Sequence, residues 1–209
     1  RICHEKGIPV IVDAPSEYNL KALIDKGADI VIFSSHKFLS GPTAGIVAGK
    51  SNLIQACYMQ NIGIGRGMKV GKESVFGAMS ALQAWKSREH KAIRSEETHT
   101  LELWQQAANG FTGVKADIVG DPTHNPLSRL KISIDKNTFN SSAASVAIAL
   151  SKCEVPIIVR DHEVELGYFQ LDPCNLAEGH AEIVANSLQN VLNSALSKPL
   201  SEVDLDKHR

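Results

Sequence analysis

Apolar and polar positions alternate between two regimes along this 209-residue chain. In the first third, short apolar runs stand between glycine and proline punctuation. Residues 8–13 (Ile-Pro-Val-Ile-Val-Asp) and 29–34 (Asp-Ile-Val-Ile-Phe-Ser) are β-branched with no polar alternation. Such runs predict strands buried on both faces, as in a parallel sheet. Residues 18–26 between them predict a short helix stopped at Gly27, so strand, helix and strand read as a right-handed parallel crossover. A third short strand is expected over 44–48 and a helix over 51–60. Residues 61–72 form a glycine-rich basic loop, and a long amphipathic helix is expected over 73–108, broken near Arg88 or Glu96.

The second half changes character. Strands are expected at 113–120, 128–134, 155–160 and 166–171, with an Asp-His-Glu turn between the last two. An alanine-rich helix runs from Ser141 to Lys152, with Asn140 or Ser141 as its N-cap, and a final helix spans 177–196. The order ββαββα suggests a small α+β domain. The fold class expected is α/β. Its parts are residues 1–90 as the first domain, 91–112 as a bridging helix, 113–198 as the small domain and 199–209 as a charged tail. Arg1 to Pro9 reads as the end of a helix entering a strand, so the chain is expected to begin in mid-domain and to be a fragment.

Composition narrows the function classes. The chain is 43% hydrophobic and 22% charged, with 22 basic and 23 acidic residues and a net charge of −1. This is an ordinary globular composition with no polyelectrolyte character, so neither nucleic acid nor an anionic membrane is an expected partner. The longest apolar run falls well short of the ~20 residues that span a bilayer. Cys3, Cys57, Cys153 and Cys174 are scattered with no Cys-x-x-Cys pair, which points to reduced thiols in a cytoplasmic protein and not to a zinc site.

The candidate chemistry lies at the ends of the first two strands. The first delivers Asp13 and the second delivers Lys37 after Ser34-Ser-His. An acid and a lysine at neighbouring strand ends suit pyridoxal phosphate (PLP), whose aldehyde condenses with a lysine and whose pyridine nitrogen needs an acid. Each residue also has a plainer reading. Lys37 opens a solvated loop, Asp13 caps the following helix, and His36 is a packed, satisfied histidine. Gly41-Pro42-Thr43-Ala44-Gly45 gives a tight turn with free backbone amides, a weak phosphate signal when taken alone.

Taken together, Asp13-Ala-Pro-Ser-Glu17, Gly27-Ala-Asp-Ile-Val-Ile-Phe-Ser-Ser-His-Lys37 and Gly41-Pro-Thr-Ala-Gly-Ile-Val47 resemble fold-type-I PLP enzymes, the aspartate aminotransferase superfamily. Within it they resemble the selenocysteine-synthase-like branch. Residues 65–82 (Gly-Arg-Gly-Met-Lys-Val-Gly-Lys-Glu-Ser-Val-Phe-Gly-Ala-Met-Ser-Ala-Leu) resemble most the D-glucosaminate-6-phosphate ammonia-lyase group.

The resemblance implies a C-terminal part of the PLP-binding large domain, with a parallel-rich sheet, followed by the small domain. It implies Lys37 as the Schiff-base lysine and proton shuttle, Asp13 against the pyridine nitrogen, Ala14 against the ring, and Ser34 and His36 near the cofactor phosphate. Arg160 would bind a substrate carboxylate, and Arg66, Lys69 and Lys72 a substrate phosphate. A surface arginine and a solvated basic loop are the competing readings of those four.

The activity implied is a lyase that removes ammonia, with loss of water, from a phosphorylated amino-sugar acid to give a 2-oxo-3-deoxy acid, acting as a homo-oligomer. His36 departs from the branch, which commonly has a small residue before the lysine. Ser-Ser-His-Lys-Phe resembles cysteine desulfurases, although neither Cys153 nor Cys174 sits in a context like their mobile loop. A selenocysteine-synthase-like or desulfurase-like transferase is thus one alternative, and a truncated domain with only an assembly role is another. The phosphate-binding glycine turn and the ring-stacking residue of fold type I are not found ahead of Asp13. The isolated chain is therefore expected to bind PLP weakly or not at all.

Overall fold

The computed structural model describes residues 1–201. The chain forms two compact units, residues 1–89 and the part from His90 onward.

The first unit is built on a three-stranded sheet. Helix α1 (Ile2–Glu5) leads into β1 (Ile11–Asp13), α2 (Ala22–Asp25) leads into β2 (Ile30–Ser34), and β3 (Gly45–Gly49) follows. The strand order is β1-β2-β3, with β1 parallel and β3 antiparallel to β2. Helix α3 (Ser51–Met59), a 3₁₀ turn (Ile64–Met68) and α4 (Lys72–Ser87) complete the unit.

Side chains alternate across a strand. One sheet face therefore carries Val12, Val31, Phe33, Ile46 and Ala48, which pack with Leu20, Leu23, Ile24 and Ala28 as a core. A second cluster joins Leu39 to Ala81 and Trp85 of α4, with Tyr18 and Phe38 against them. Tyr18 meets both Phe38 (5.4 Å) and Trp85 (4.7 Å) edge-on.

Burial of both strands on both faces does not hold. In β2 Ile30, Val31 and Phe33 are buried while Ile32 and Ser34 are half-buried, and β1 is a three-residue edge strand in which Ile11 and Asp13 are exposed. The ladder starts only at Ile11. Ile8 N–H returns to the Cys3 carbonyl, Pro9 has no N–H, and Val10 N–H goes to the Asp29 carboxylate. The helix expected over 18–26 shrinks to α2 because Asn19 Oδ1 accepts from Lys21 N and Ala22 N, holding 19–21 as a turn. The long helix is two helices, α4 and α5 (His90–Ala108), with the break at Arg88 and Glu89.

The second unit opens with α5 and packs an antiparallel sheet of β4 (Val114–Gly120), β5 (Ser128–Ile134) and β6 (Tyr168–Leu171), in that order. Helices α6 (Lys136–Phe139), α7 (Ala143–Ser151) and α8 (His180–Ser197) complete it, with a 3₁₀ turn at Val164–Leu166. Trp104, Phe139, Phe169, Leu130, Ile132, Leu188 and Leu192 form its fully buried centre. Ser142 is the N-cap of α7 and accepts from Ser145 N, while Asn140 adopts φ 58° and ends α6.

Residues 155–160 are not a strand. Pro156 has no N–H and Ile157 N–H goes to Leu150 O, so only Arg160 bridges Gln170. The order becomes two strands, two helices, one strand and a final helix. The end of the charged tail, 202–209, lies outside the described residues. No helix among the described residues is long and apolar enough to cross a membrane.

Candidate active site

Register and parity place Asp13 and Ser34 on one side of the first sheet. Asp13 pairs with Ile32, and Ile32 pairs with Val47, so these three side chains share a row on the face opposite the core. Ser34 lies one row further along the same face, beside Gly45. Asp13 is exposed, contrary to the burial expected of it, because it ends an edge strand whose outer face is open. The buried residue is its neighbour Ala14, 5% exposed, whose N–H continues the ladder to Ile32 O at 2.9 Å. The helix-cap alternative for Asp13 fails, since α2 begins at Ala22 behind Lys21 and Asn19.

Beyond β2 the chain turns sharply. Ser35 is fully buried. It donates its N–H to Ala44 O (2.9 Å) and accepts from Gly41 N–H on its carbonyl (2.8 Å). Ser40 N–H closes on Lys37 O at 3.0 Å. Leu39, 2% exposed, and Phe38 enter the cluster against α4. Arg88 Nη1 donates to Phe38 O at 3.1 Å, while its guanidinium stacks over the Trp85 ring at 5.0 Å. Lys37 is thus exposed between two anchored flanks. His36 is exposed as well, so it is not a packed core histidine. Its Nδ1 lies 3.3 Å from Ser34 Oγ.

Arg66 belongs to the 3₁₀ turn, Lys69 follows it, and Lys72 opens α4. All three are exposed and belong to the same unit as Lys37. Arg160 belongs to the second unit. It is exposed and lines a cavity of about 210 Å³ with Trp104, Ile158, Ile183 and Val184 on its apolar walls.

Three features of the site had no sequence signal strong enough to single them out. Ser35, not Ser34, is the inward serine of the pair. Arg88 holds the lysine turn from 50 positions away in sequence. The small residues Gly77 and Ala81 of α4 lie under that turn. Only the i, i+4, i+8 spacing of Gly77, Ala81 and Trp85, with Gly41-Pro42 opposite, hinted at the last.

Among the described residues no cluster of histidine, cysteine and carboxylate side chains is arranged to hold a metal ion. Asp29 is the strongly perturbed acid of the first unit. Donors from Lys50 (2.6 Å), Val10 N (2.6 Å) and His4 (2.7 Å) hold its carboxyl well below the usual range. It ties α1, β1 and Lys50 together at the end of the sheet remote from Lys37, which gives it a structural role.

Comparison with known proteins gives a consistent picture. The family described as "SelA: L-seryl-tRNA selenium transferase" matches residues 10–167. A D-glucosaminate-6-phosphate ammonia lyase of Salmonella typhimurium is 30% identical over 195 residues, 93% of this chain and 52% of the relative. A 5'-C-glycyluridine monooxygenase-decarboxylase of Streptomyces is 31% identical over 191 residues, 91% of this chain and 48% of the relative. The solved structure of a D-glucosaminate-6-phosphate ammonia-lyase matches with TM-score 0.75 and 29% identity, over 93% of this chain and 52% of that one. The chain spans about half the length of the relatives it matches. It belongs to the SelA family, within the fold-type-I PLP enzymes.

Proposed function

We propose that this chain carries the lysine-bearing part of a PLP-dependent lyase that removes ammonia, with loss of water, from a phosphorylated amino-sugar acid such as D-glucosaminate 6-phosphate. The observation that carries the reading is Lys37, exposed between the buried Ser35 and Leu39 at the end of β2, with Asp13 ending the neighbouring strand.

The donor set fits the cofactor. Asp13 offers an exposed carboxylate to a protonated ring nitrogen, Ser34 and His36 offer a hydroxyl and an imidazole to phosphate oxygens, and Lys37 offers a primary amine to the aldehyde. Ala14, expected against the ring, is instead turned into the core with Val31 and Phe33, on the face away from Asp13. When bound, PLP supplies the electron sink that lowers the barrier to losing a proton from the carbon beside the substrate nitrogen.

Lys37 takes that proton on Nζ and returns it later. A positioned acid–base group of this kind is worth about 10²–10⁴-fold in rate. The carboxylate of Asp13 keeps the ring nitrogen protonated. Arg66, Lys69 and Lys72 are assigned to the substrate phosphate, where the glycines between them keep the backbone open. Arg160 is assigned to a carboxylate as a bidentate fork.

In this reading residues 1–90 belong to a cofactor-binding large domain, 91–112 are a bridging helix and 113–198 a small domain. The protein works as a cytoplasmic homo-oligomer. A second reading, group transfer on a seryl-tRNA, draws on the family description itself. The near-neutral charge of the chain weighs against it. Desulfurase chemistry draws little support, because Cys153 follows α7 with its thiol donating to Ala149 O and Cys174 is partly buried.

The test is the absorbance at the visible edge on adding PLP, followed by borohydride fixation and mapping of the modified lysine. It is run on this chain and on protein from the complete reading frame. The expected adduct is on Lys37 of the complete protein, is weak or missing in this chain alone, and is absent in Lys37→Ala. An adduct of equal yield in Lys37→Ala would sink the proposal. Asp13→Asn is expected to shift the absorbance and reduce turnover. An unchanged band and rate would remove Asp13 from the ring nitrogen.

A further inference from the structure

We infer that Gly77 and Ala81 of α4 are positioning residues for Lys37, forming a seat into which the turn after the lysine fits. The inference rests on the assignment of Lys37 proposed above.

The geometry is steric. A methyl group added at Gly77 would stand 2.8 Å from Pro42 Cγ and 3.0 Å from Pro42 Cδ, closer than real carbon contacts come. One turn further along α4, a methyl at Gly41 would lie 3.0 Å from Ala81 Cβ and would collide with Ser35 Oγ. The Gly41-Pro42 bend therefore rests on two small residues spaced i, i+4 on one helix face, and the next residue of that face is the buried Trp85.

The same bend is bonded back to the lysine turn. Gly41 N–H reaches Ser35 O, and Ser40 N–H reaches Lys37 O. Ser40 and Gly41 together close the loop on which Lys37 stands, and Ser40 adopts φ 55°, a conformation that a displaced bend would not hold. Pro42 cannot yield by rotating a side chain, because its ring is fixed to the backbone. A larger residue at 77 must therefore move the bend and, with it, the backbone of Lys37.

Gly77 touches neither substrate nor cofactor in this scheme, so its effect must be read on the turn itself. Amide hydrogen exchange of the whole 209-residue chain, without cofactor, gives that reading. Gly77→Ala is expected to speed exchange at Ser40 and Gly41 by about tenfold or more while leaving Ala14, bonded to Ile32 in the same unit, unchanged. Pro42→Ala removes the ring from the other side of the contact and is expected to loosen the same two amides. This second variant keeps the test open should Gly77→Ala fail to fold. In the double variant the new methyl fills the space the ring leaves, and exchange at Ser40 and Gly41 should return to within about threefold of the parent.

In protein from the complete reading frame, borohydride-fixed PLP on Lys37 should fall in each single variant and recover in the double. Unchanged exchange in both single variants overturns the seat. A rise shared equally by Ala14 also overturns it, by showing a general loosening. If no variant of the complete protein, the parent included, forms an adduct on Lys37, the PLP assignment falls. The exchange pattern still decides whether α4 sets the turn.

Discussion

Arg88 donates to the carbonyl of Phe38 at 3.1 Å, and so the end of α4 holds the residue next to Lys37. The guanidinium also lies over Trp85, which itself packs under Tyr18. Arg88→Met keeps the aliphatic stem but loses the hydrogen bond and the cation–π contact. It should cost about 1–2 kcal/mol in urea denaturation of the first unit. Arg88→Lys should recover little of this, because an ammonium cannot both stack on the ring and aim a fixed donor at the carbonyl. Full recovery by lysine would show that charge alone matters at this position.

The paired serines before the lysine should behave in opposite ways. Ser35 Oγ is buried and has no hydrogen-bond partner among the described residues. Ser35→Ala removes an unsatisfied hydroxyl and should leave stability unchanged or raise it by about 1 kcal/mol, with PLP binding intact. Ser34→Ala leaves the fold alone and should weaken PLP binding through loss of a phosphate donor. Titration of both variants with PLP, beside their melting curves, separates the two roles. Equal loss of PLP affinity in both would place the phosphate elsewhere.

Acid should weaken the two units through different carboxylates. In the first unit, the donors from Lys50, Val10 and His4 hold Asp29 below its ordinary 3.8. In the second, burial pushes Asp121 up, but hydrogen bonds from Thr123, Arg129 and Asn125 N outweigh it and bring it down to about 2. Both groups take up protons more readily in the unfolded chain. Their contribution is therefore complete above about pH 4 and is lost as pH falls through the folded-state values. The two tryptophans, Trp85 and Trp104, fall one in each unit. Fluorescence of Trp104→Phe then follows the first unit and that of Trp85→Phe the second. Asp29→Asn should flatten the acid limb of the first signal only, and Asp121→Asn that of the second only.

Thiol reactivity should set Cys3 and Cys57 apart from Cys174. Burial pushes the Cys174 thiol well above the usual range, and the carboxylate of Asp172 adds to the effect. Cys3 and Cys57 are exposed. Iodoacetamide near pH 8, with peptide mapping, should label Cys3 and Cys57 and spare Cys174 until the second unit is unfolded. Early labelling of Cys174 in folded protein would contradict this placement.

The strand ends were legible because their chemistry is local. An apolar run that stops at Asp13 or Ser34 announces both an element and its polar terminus, and glycine or proline marks the turns. What escaped was decided by distant partners. The open face of β1 depends on what packs beside it, which no local pattern records. Residues 155–160 read as a strand but make only one bridge, since Pro156 has no N–H and that of Ile157 goes to Leu150 O. At the candidate site, Asp13 and Lys37 stood out by residue type. Arg88, Gly77 and Ala81 lie beside the turn but 40 or more positions from the lysine along the chain, and the spacing within α4 alone does not say what it faces.

The pairing of Asp13 with Ile32 also guards against misfolding. A shift of β1 by one residue along β2 would turn Asp13 inward among Val31 and Phe33 and bring Val12 and Ala14 out. Burying that carboxylate without a partner costs several kcal/mol, so the misaligned strand would be rejected during folding. The carboxylate assigned to the cofactor in the proposed function thus also acts as a proofreader of the sheet that displays it. Variants that neutralise Asp13 then give up a folding safeguard together with a functional group.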